Sequence, residues 1–358
     1  MCTRPATVHS PPPERHHHGG TPVLRCVVRA FGPAVDVVAT ECYDPPRPGP
    51  GEVSVRMLLA SVNPSDLVTI SGAYASRTTL PFVPGFEGVG VVEATGAGVS
   101  EVAAGQRVLP LGTAGAWQQV KVAEARWCLP VLPRLTDEQA ATSYVNPLTA
   151  LLMSRQYVIP GGGAGTAGAA GVVVNAAASA IGRMAIRMLN RAGVEPVALV
   201  RHPRGREQLT GLRTAAVLCT SDDGVREALP AVVREAAGGR PPTVVLDAVG
   251  GSEGGDLARA LAPGGTLVHY GLLSGRPLPP ALATERPDVR VVLFRLRDWV
   301  HTADRARLTD ALAEAQHLVA DGTAATPVAH VLPLRDVREA LRREAVPGRT
   351  GKVLLRAD

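Results

Sequence analysis

The chain has 358 residues, 46% hydrophobic and 19% charged, with a formal net charge of +5 at neutral pH. That length accommodates two domains of ordinary size, each with its own core, and the balance excludes a disordered or fibrous protein. No apolar run reaches the roughly 18 to 20 residues that cross a bilayer, and the basic residues are scattered rather than gathered on one face, which argues against a nucleic-acid footprint.

Residues 1–22 carry Pro11-Pro12-Pro13 and His16-His17-His18 without the apolar stretch of a signal peptide, and are expected to form a disordered tail. From residue 21 to about 145, short segments at 24–29, 52–58, 88–94, 107–110 and 118–122 alternate or run apolar between Gly/Pro breaks, the pattern of a compact barrel-like β domain. Residues 140–157 turn helical, and 160–171 are almost entirely Gly and Ala, which predicts a loop.

An alternating series follows: strand 172–174, helix 181–192, strands 196–200 and 216–219, helix 225–237, strand 244–246, helix 257–261, and strands 266–269 and 289–294. Strands alternating with helices predict an α/β unit with a parallel sheet covered on both faces. Beyond residue 303, two helical stretches flank 328–332, and 352–355 forms a last strand expected to rejoin the first domain. The expected organisation is thus a tail (1–22), a catalytic domain (23–145 with 303–358) and an inserted nucleotide domain (146–302).

The five cysteines, Cys2, Cys26, Cys42, Cys128 and Cys219, are dispersed and include no C-x-x-C pair, so neither a disulfide framework nor a structural zinc lobe is expected; a reducing cytoplasm suits them. Only Lys121 and Lys352 are lysines; the other cations are arginines, which together with abundant Ala, Gly and Pro reads as coding bias.

Strand 172–174 runs into Asn175-Ala176-Ala177-Ala178-Ser179-Ala180-Ile181-Gly182 and then a helix, where a dinucleotide fold places its phosphate turn. The G-x-G-x-x-G spacing survives as Ala177, Ser179 and Gly182. Helix N-terminal N–H groups favour an anion there, and small residues let a pyrophosphate approach the backbone. One remaining glycine makes the motif weak alone, and a generic strand–loop–helix is the plain alternative. The second strand ends at Val200, and Arg201 stands where an NAD-selecting fold carries Asp or Glu; with Arg204 it would attract a 2′-phosphate, favouring NADPH over NADH.

Over roughly residue 21 to the C-terminus the chain resembles the medium-chain dehydrogenase/reductase superfamily, nearest its zinc-free branch of mitochondrial-type 2-enoyl thioester reductases and quinone oxidoreductases. The carrying residues are Asn63-Pro64-Ser65-Asp66, Gly72-Ala73-Tyr74, Gly85-Phe86-Glu87, Val145-Asn146-Pro147-Leu148-Thr149-Ala150, and Asn175-Ala176 with Ser179-Ala180-Ile181-Gly182. Zinc members of the superfamily hold the metal at the places occupied by Asn63 and Phe86, and Glu87 alone could not bind it, so no metal is expected.

The resemblance implies a GroES-like β-barrel catalytic domain plus a Rossmann doubly wound nucleotide domain. It makes Tyr74 the catalytic phenol, steadying or protonating an enolate as hydride reaches the β-carbon of a conjugated alkene. It lines the substrate site with Asn63, Phe86, Arg295 and Trp299. It assigns the cofactor to Asn146, Thr149, Asn175, Ala178, Ser179, Ala180, Ile181, Gly182, Arg201, Arg204, Val249, Tyr270, Leu272, Phe294, Leu296 and Lys352. Leu293-Phe294-Arg295-Leu296-Arg297-Asp298-Trp299 departs from the family's Gly-Phe-Trp-x-x-x-Trp, with Arg295 replacing a tryptophan. Arg295 or Arg297 would then hold a carboxylate, phosphate or carrier arm. The alternatives are a quinone oxidoreductase of the same fold and a noncatalytic NADPH-binding protein. A homodimer through strand 289–294 is expected from the resemblance.

Overall fold

In a computed structural model the described residues are 23–159, 171–346 and 348–358, so the expected tail, its histidine triplet, Cys2 and most of the Gly/Ala loop lie outside them. The chain opens with β1 (Val23–Val28), α1 (Ala34–Val37) and β2 (Val38–Tyr43), the two strands forming an antiparallel pair. There follow β3 (Glu52–Ser61), α2 (Pro64–Ile70), β4 (Gly88–Thr95), β5 (Arg107–Pro110), β6 (Val120–Glu124) and β7 (Cys128–Pro130). Two helices, α3 (Asp137–Ala140) and α4 (Val145–Met153), lead out of this β-rich part.

The alternating series is β8 (Val172–Val174), α5 (Ala180–Arg191), β9 (Val197–Val200), α6 (Arg204–Glu207), β10 (Ala216–Cys219), α7 (Leu229–Ala236), β11 (Val244–Asp247) and α8 (Gly251–Ala260). It continues through β12 (Thr266–His269), α9 (Leu282–Glu285), β13 (Arg290–Leu293) and α10 (Leu296–Thr302). The chain closes with α11 (Arg305–Ala320), β14 (Val328–Pro333), α12 (Val337–Glu344) and β15 (Lys352–Arg356).

Six parallel strands lie in the order β10-β9-β8-β11-β12-β13, the doubly wound arrangement with its reversal between β8 and β11. β8, β9 and β11 are buried at every residue, which explains their unbroken apolar text: both sheet faces are covered, so no position alternates to water. In the seven-stranded sheet, ordered β14-β15-β3-β4-β5-β7 with β6 pairing β3 off this path, β15 lies antiparallel to β3, pairing Leu354 with Ser61. The C-terminal strand thus returns to the β-rich part and delivers Lys352 beside the residues that follow β3.

α4 is buried from Pro147 to Met153 and belongs to a hydrophobic cluster that runs without a break from Leu59 and Val89 in one sheet to Val172 and Val174 in the other. Burial of this kind stabilises by about 25 cal/mol per Å² of apolar surface and fixes α4 as the post between the two sheets.

Several boundaries differ from the sequence reading, each for a local reason. α7 begins at Leu229 rather than 225 because Pro230 fits the first turn, where no backbone donor is missed. α8 begins at Gly251, well before residue 257, because its glycines answer to packing: a Cβ on Gly254 would lie 2.7 Å from the Asp247 carboxylate. β6 lies two residues beyond the expected 118–122, and β2 and β7 were not expected. The four cysteines among the described residues are free, and no described helix is long and apolar enough to cross a membrane.

Candidate active site

The Asn63 segment is built around three buried charges. Asn63 ends the turn after β3 and caps α2 through a capping box with Asp66. The Asp66 carboxylate accepts the Asn63 N–H at 2.9 Å and the Phe86 N–H at 3.0 Å, tying the first motif to the third. Burial pushes the Asp66 carboxyl up to about 7, and Lys352 draws it partly back.

Glu87 uses both oxygens fully. One accepts the N–H groups of Tyr144 and Val145 at 2.8 and 2.9 Å; the other accepts from the Ser61 hydroxyl at 2.8 Å and the Asn63 amide at 3.0 Å. A remote carboxylate therefore caps α4, which has no side-chain cap of its own, and sits where the helix dipole favours negative charge. Asn63 also donates to Ser61 Oγ at 2.8 Å, and its carbonyl accepts from Lys352 Nζ, which also reaches Val62 O at 3.3 Å. Burial pushes the Lys352 ammonium below its ordinary range, opposed by Glu87, Glu344 and Asp66.

This donor set does not fit zinc. Asn63 and Glu87 have spent their lone pairs on protein donors, Phe86 supplies none, and the described residues hold no group of three His, Cys, Asp or Glu able to bind a metal ion. Asn63, 1% exposed, donates to Ser61 and Glu87 and accepts from Lys352, and Lys352, 4% exposed, has its ammonium against Asn63 on the β3 side.

Tyr74 lies on the loop between α2 and a short 3-10 turn; it is 37% exposed, with the Arg77 guanidinium 5.9 Å from its ring centre. Phe86 is half-buried beside it in the motif order, and Asn146 and Thr149 occupy the first turns of α4, with Thr149 Oγ1 donating to Val145 O at 2.6 Å. Arg295, at the N-cap of α10, forms an exposed ion pair with Asp298 at 2.6 Å. Trp299 faces the core from α10 with its indole N–H buried and unpartnered, and the Tyr270 hydroxyl is likewise buried without a partner. Phe294 is buried and meets Tyr157 edge-on at 6.4 Å, and Leu296 starts α10.

The nucleotide half forms one cleft of about 1180 Å³ at the carboxyl ends of β8, β9 and β11. Of the expected cofactor residues, Ala178, Ser179, Arg201, Arg204 and Val249 line it. Ser179 caps α5 by accepting the Gly182 N–H at 3.1 Å. Gly182 is required there, since a Cβ would lie 2.6 Å from Ala176 O and 2.7 Å from Ala177 O. Ala180 and Ile181 complete the first turn of a 12-residue helix whose free N–H groups face the cleft end.

Beneath the cleft Asn175 donates to Asp247 at 2.6 Å and to Glu253 at 3.1 Å, and accepts the Ala248 N–H at 2.7 Å. Asp247 also pairs with His269 at 2.7 Å, and the Tyr270 N–H donates to Asp247 O at 2.9 Å, placing Tyr270 and Leu272 on the loop after β12.

The cleft fits an anionic dinucleotide: a helix N-terminus capped by Ser179, flanked by the exposed guanidinium groups of Arg201 and Arg204, and of Arg226, which the sequence reading missed. Glu253, Asp247 and His269 were missed as well; the Asp247 strand end carries no motif of its own, and its partners lie on other strands.

Comparison with known proteins agrees with this geometry. The family model for an alcohol dehydrogenase GroES-like domain matches residues 49–134, and that for a zinc-binding dehydrogenase matches 221–355. The mitochondrial enoyl-[acyl-carrier-protein] reductase of Arabidopsis thaliana is 34% identical over 70% of the chain, which spans 65% of that relative's length. The rat protein of the same name is 28% identical over 83% of the chain and 78% of its own length. A Bacillus thuringiensis structure, provisionally assigned as an NADPH:quinone reductase, superposes with a TM-score of 0.85 at 31% identity, covering 95% of this chain and all of that one. A mycobacterial structure complexed with NADPH is 26% identical, with a TM-score of 0.80, over 93% of this chain and 99% of its own.

Proposed function

The chain belongs to the medium-chain dehydrogenase/reductase superfamily and is an oxidoreductase with a nicotinamide dinucleotide site; on that premise we propose that it is an NADPH-dependent reductase of alkenes conjugated to a carbonyl, working without a metal. The observation that carries this reading is the saturation of Asn63 and Glu87 by Ser61, Lys352 and the α4 N-terminus. With no Lewis acid at this entrance, a substrate carbonyl must be polarised by a protic group, and Tyr74 offers an exposed phenol on the loop between the two former metal motifs.

Bound reduced nicotinamide supplies the hydride. Arg201 and Arg204 would hold its 2′-phosphate, the first turn of α5 would take the pyrophosphate, and Asn146, Thr149 and Tyr270 would stand on the nicotinamide side. Tyr74 hydrogen-bonds the carbonyl oxygen as negative charge gathers on it, and the enolate then takes a proton at the α-carbon from water reaching this exposed loop, leaving a saturated product. The open edge strand β13, with Val291 and Leu293 exposed, supports pairing with a second copy.

A quinone acceptor is the second reading, supported by the full-length likeness to the Bacillus thuringiensis structure. A quinone ring is already electron-poor and asks little of an acid. NADPH oxidation with crotonyl thioesters and with quinones, each with EDTA, separates the two. Enoyl turnover should resist EDTA and fall about a hundredfold in Tyr74→Phe. Quinone turnover alone, unchanged by Tyr74→Phe, would select the second reading; loss of activity in EDTA would overturn the metal-free mechanism, and cofactor binding without any turnover would leave a noncatalytic protein.

A further inference from the structure

Three guanidinium groups line the part of the nucleotide cleft that lies over β9 and β10. Arg201, Arg204 and Arg226 are exposed there and have no hydrogen-bond or ion-pair partner among the described residues. Local contacts bring their segments together. The Thr220 N–H donates to Val200 O at 2.9 Å, so the loop after β10 starts beside the strand end that carries Arg201. The turn that carries Arg204 lies on the phosphate turn, since a Cβ on Gly205 would stand 2.8 Å from Val200 Cβ and 3.4 Å from Ala178 Cβ. An ion pair between Arg206 and Asp222 ties α6 to the loop after β10, and the Val225 N–H donates to Asp222 O at 3.2 Å immediately before Arg226.

No carboxylate balances this end of the cleft. Asp222 is engaged by Arg206, and Glu253, the one carboxylate among the lining residues, accepts from Asn175 at 3.1 Å on the β11 side. An acidic residue at the end of β9 would accept the ribose hydroxyls and read their pattern; Arg201 at that place cannot. Guanidinium groups on long exposed stems follow phosphate oxygens within reach, and the 2′ and 3′ carbons of a ribose are neighbours. Resting on the NADPH reading above, we propose that this end of the cleft takes adenosine nucleotides phosphorylated at either the 2′ or the 3′ position, with Arg226 serving the 3′-phosphate. Nucleotides of the 3′-phosphoadenosine class then compete with NADPH and restrain the enzyme.

The test is calorimetric titration with adenosine 2′,5′-bisphosphate, adenosine 3′,5′-bisphosphate and ADP, whose two phosphates sit on one carbon. The two bisphosphates should bind within about fivefold of each other and about tenfold or more tighter than ADP, and added salt should weaken both. Arg226→Gln should weaken the 3′,5′ isomer about tenfold and the 2′,5′ isomer less than about threefold, while Arg201→Ala with Arg204→Ala should weaken the 2′,5′ isomer more. In turnover the 3′,5′ isomer should raise KM for NADPH and leave kcat unchanged. A 3′,5′ isomer that binds no tighter than ADP, where the 2′,5′ isomer does, overturns the proposal and leaves the NADPH reading standing. Unchanged 3′,5′ affinity in Arg226→Gln overturns it equally. A 2′,5′ isomer that binds no tighter than ADP takes down the NADPH reading and the proposal together.

Discussion

Replacing Lys352 by Met tests whether the former metal entrance is now an electrostatic support. The ammonium is buried among Asn63, Glu87, Asp66 and Glu344, and its loss leaves the Asn63 carbonyl without a donor and two buried carboxylates, Asp66 and Glu87, without their cation. Breaking a buried charge pair from one side costs about 3–5 kcal/mol. With an unfolding entropy of about 2.1 cal/mol/K per residue, a 358-residue chain that melts as one unit has about 0.75 kcal/mol/K, so Tm should fall by about 4–7 °C.

The deficit should depend on pH. Without Lys352 the Asp66 carboxyl is raised further above its unfolded value, so the folded state holds more protons than the unfolded one, and stability is lost as pH rises through that window. Scanning calorimetry at pH 8 and pH 5 should therefore show the larger deficit at pH 8. Adding Glu87→Gln should cost less in the Lys352→Met background than alone, because the charge it removes is already unpaired. A pH-independent deficit, or strict additivity of the two changes, would refute the support role.

Two further outcomes follow from the nucleotide cleft. Arg201→Ala with Arg204→Ala should raise KM for NADPH at least tenfold and leave KM for NADH within about twofold, since only NADPH carries the 2′-phosphate; equal changes for both cofactors would remove these arginines from phosphate recognition. The Glu253 carboxyl is held above its ordinary range by burial and by Asp247, opposed by Asn175, Arg226 and Arg201, while His269 pairs with Asp247 from β12. A polyanion in the cleft would raise it further, so NADPH should bind with proton uptake and bind more weakly as pH rises above the ordinary glutamate range. Calorimetric titrations in buffers of different ionisation enthalpy should show that uptake, and Glu253→Gln should diminish it; identical proton counts in the two proteins would exclude Glu253 as the source.

The nucleotide half was readable because its signals are local. A buried parallel strand writes itself as an apolar run, Ser179 caps the helix it precedes, and Gly182 lies where a Cβ would strike its own turn. The reading failed where packing overrode propensity: the glycines that made α8 look like a weak helix are there to let Asp247 and its neighbours come close.

The substrate side was legible as composition and not as wiring. The sequence by itself determined that Asn63 and Phe86 cannot hold zinc, and it marked Lys352 as one of two lysines in an arginine-rich chain; both prove buried, where a compact ammonium fits among carbonyls, as with Lys121 on Pro110 O and Thr113 O at 2.9 Å. Only the tertiary structure joined Lys352 to Asn63 across 289 residues, and Glu87 to the N-terminus of α4 across 57. These bonds depend on which side chains the packed sheets bring together, and spacing along the chain does not fix that.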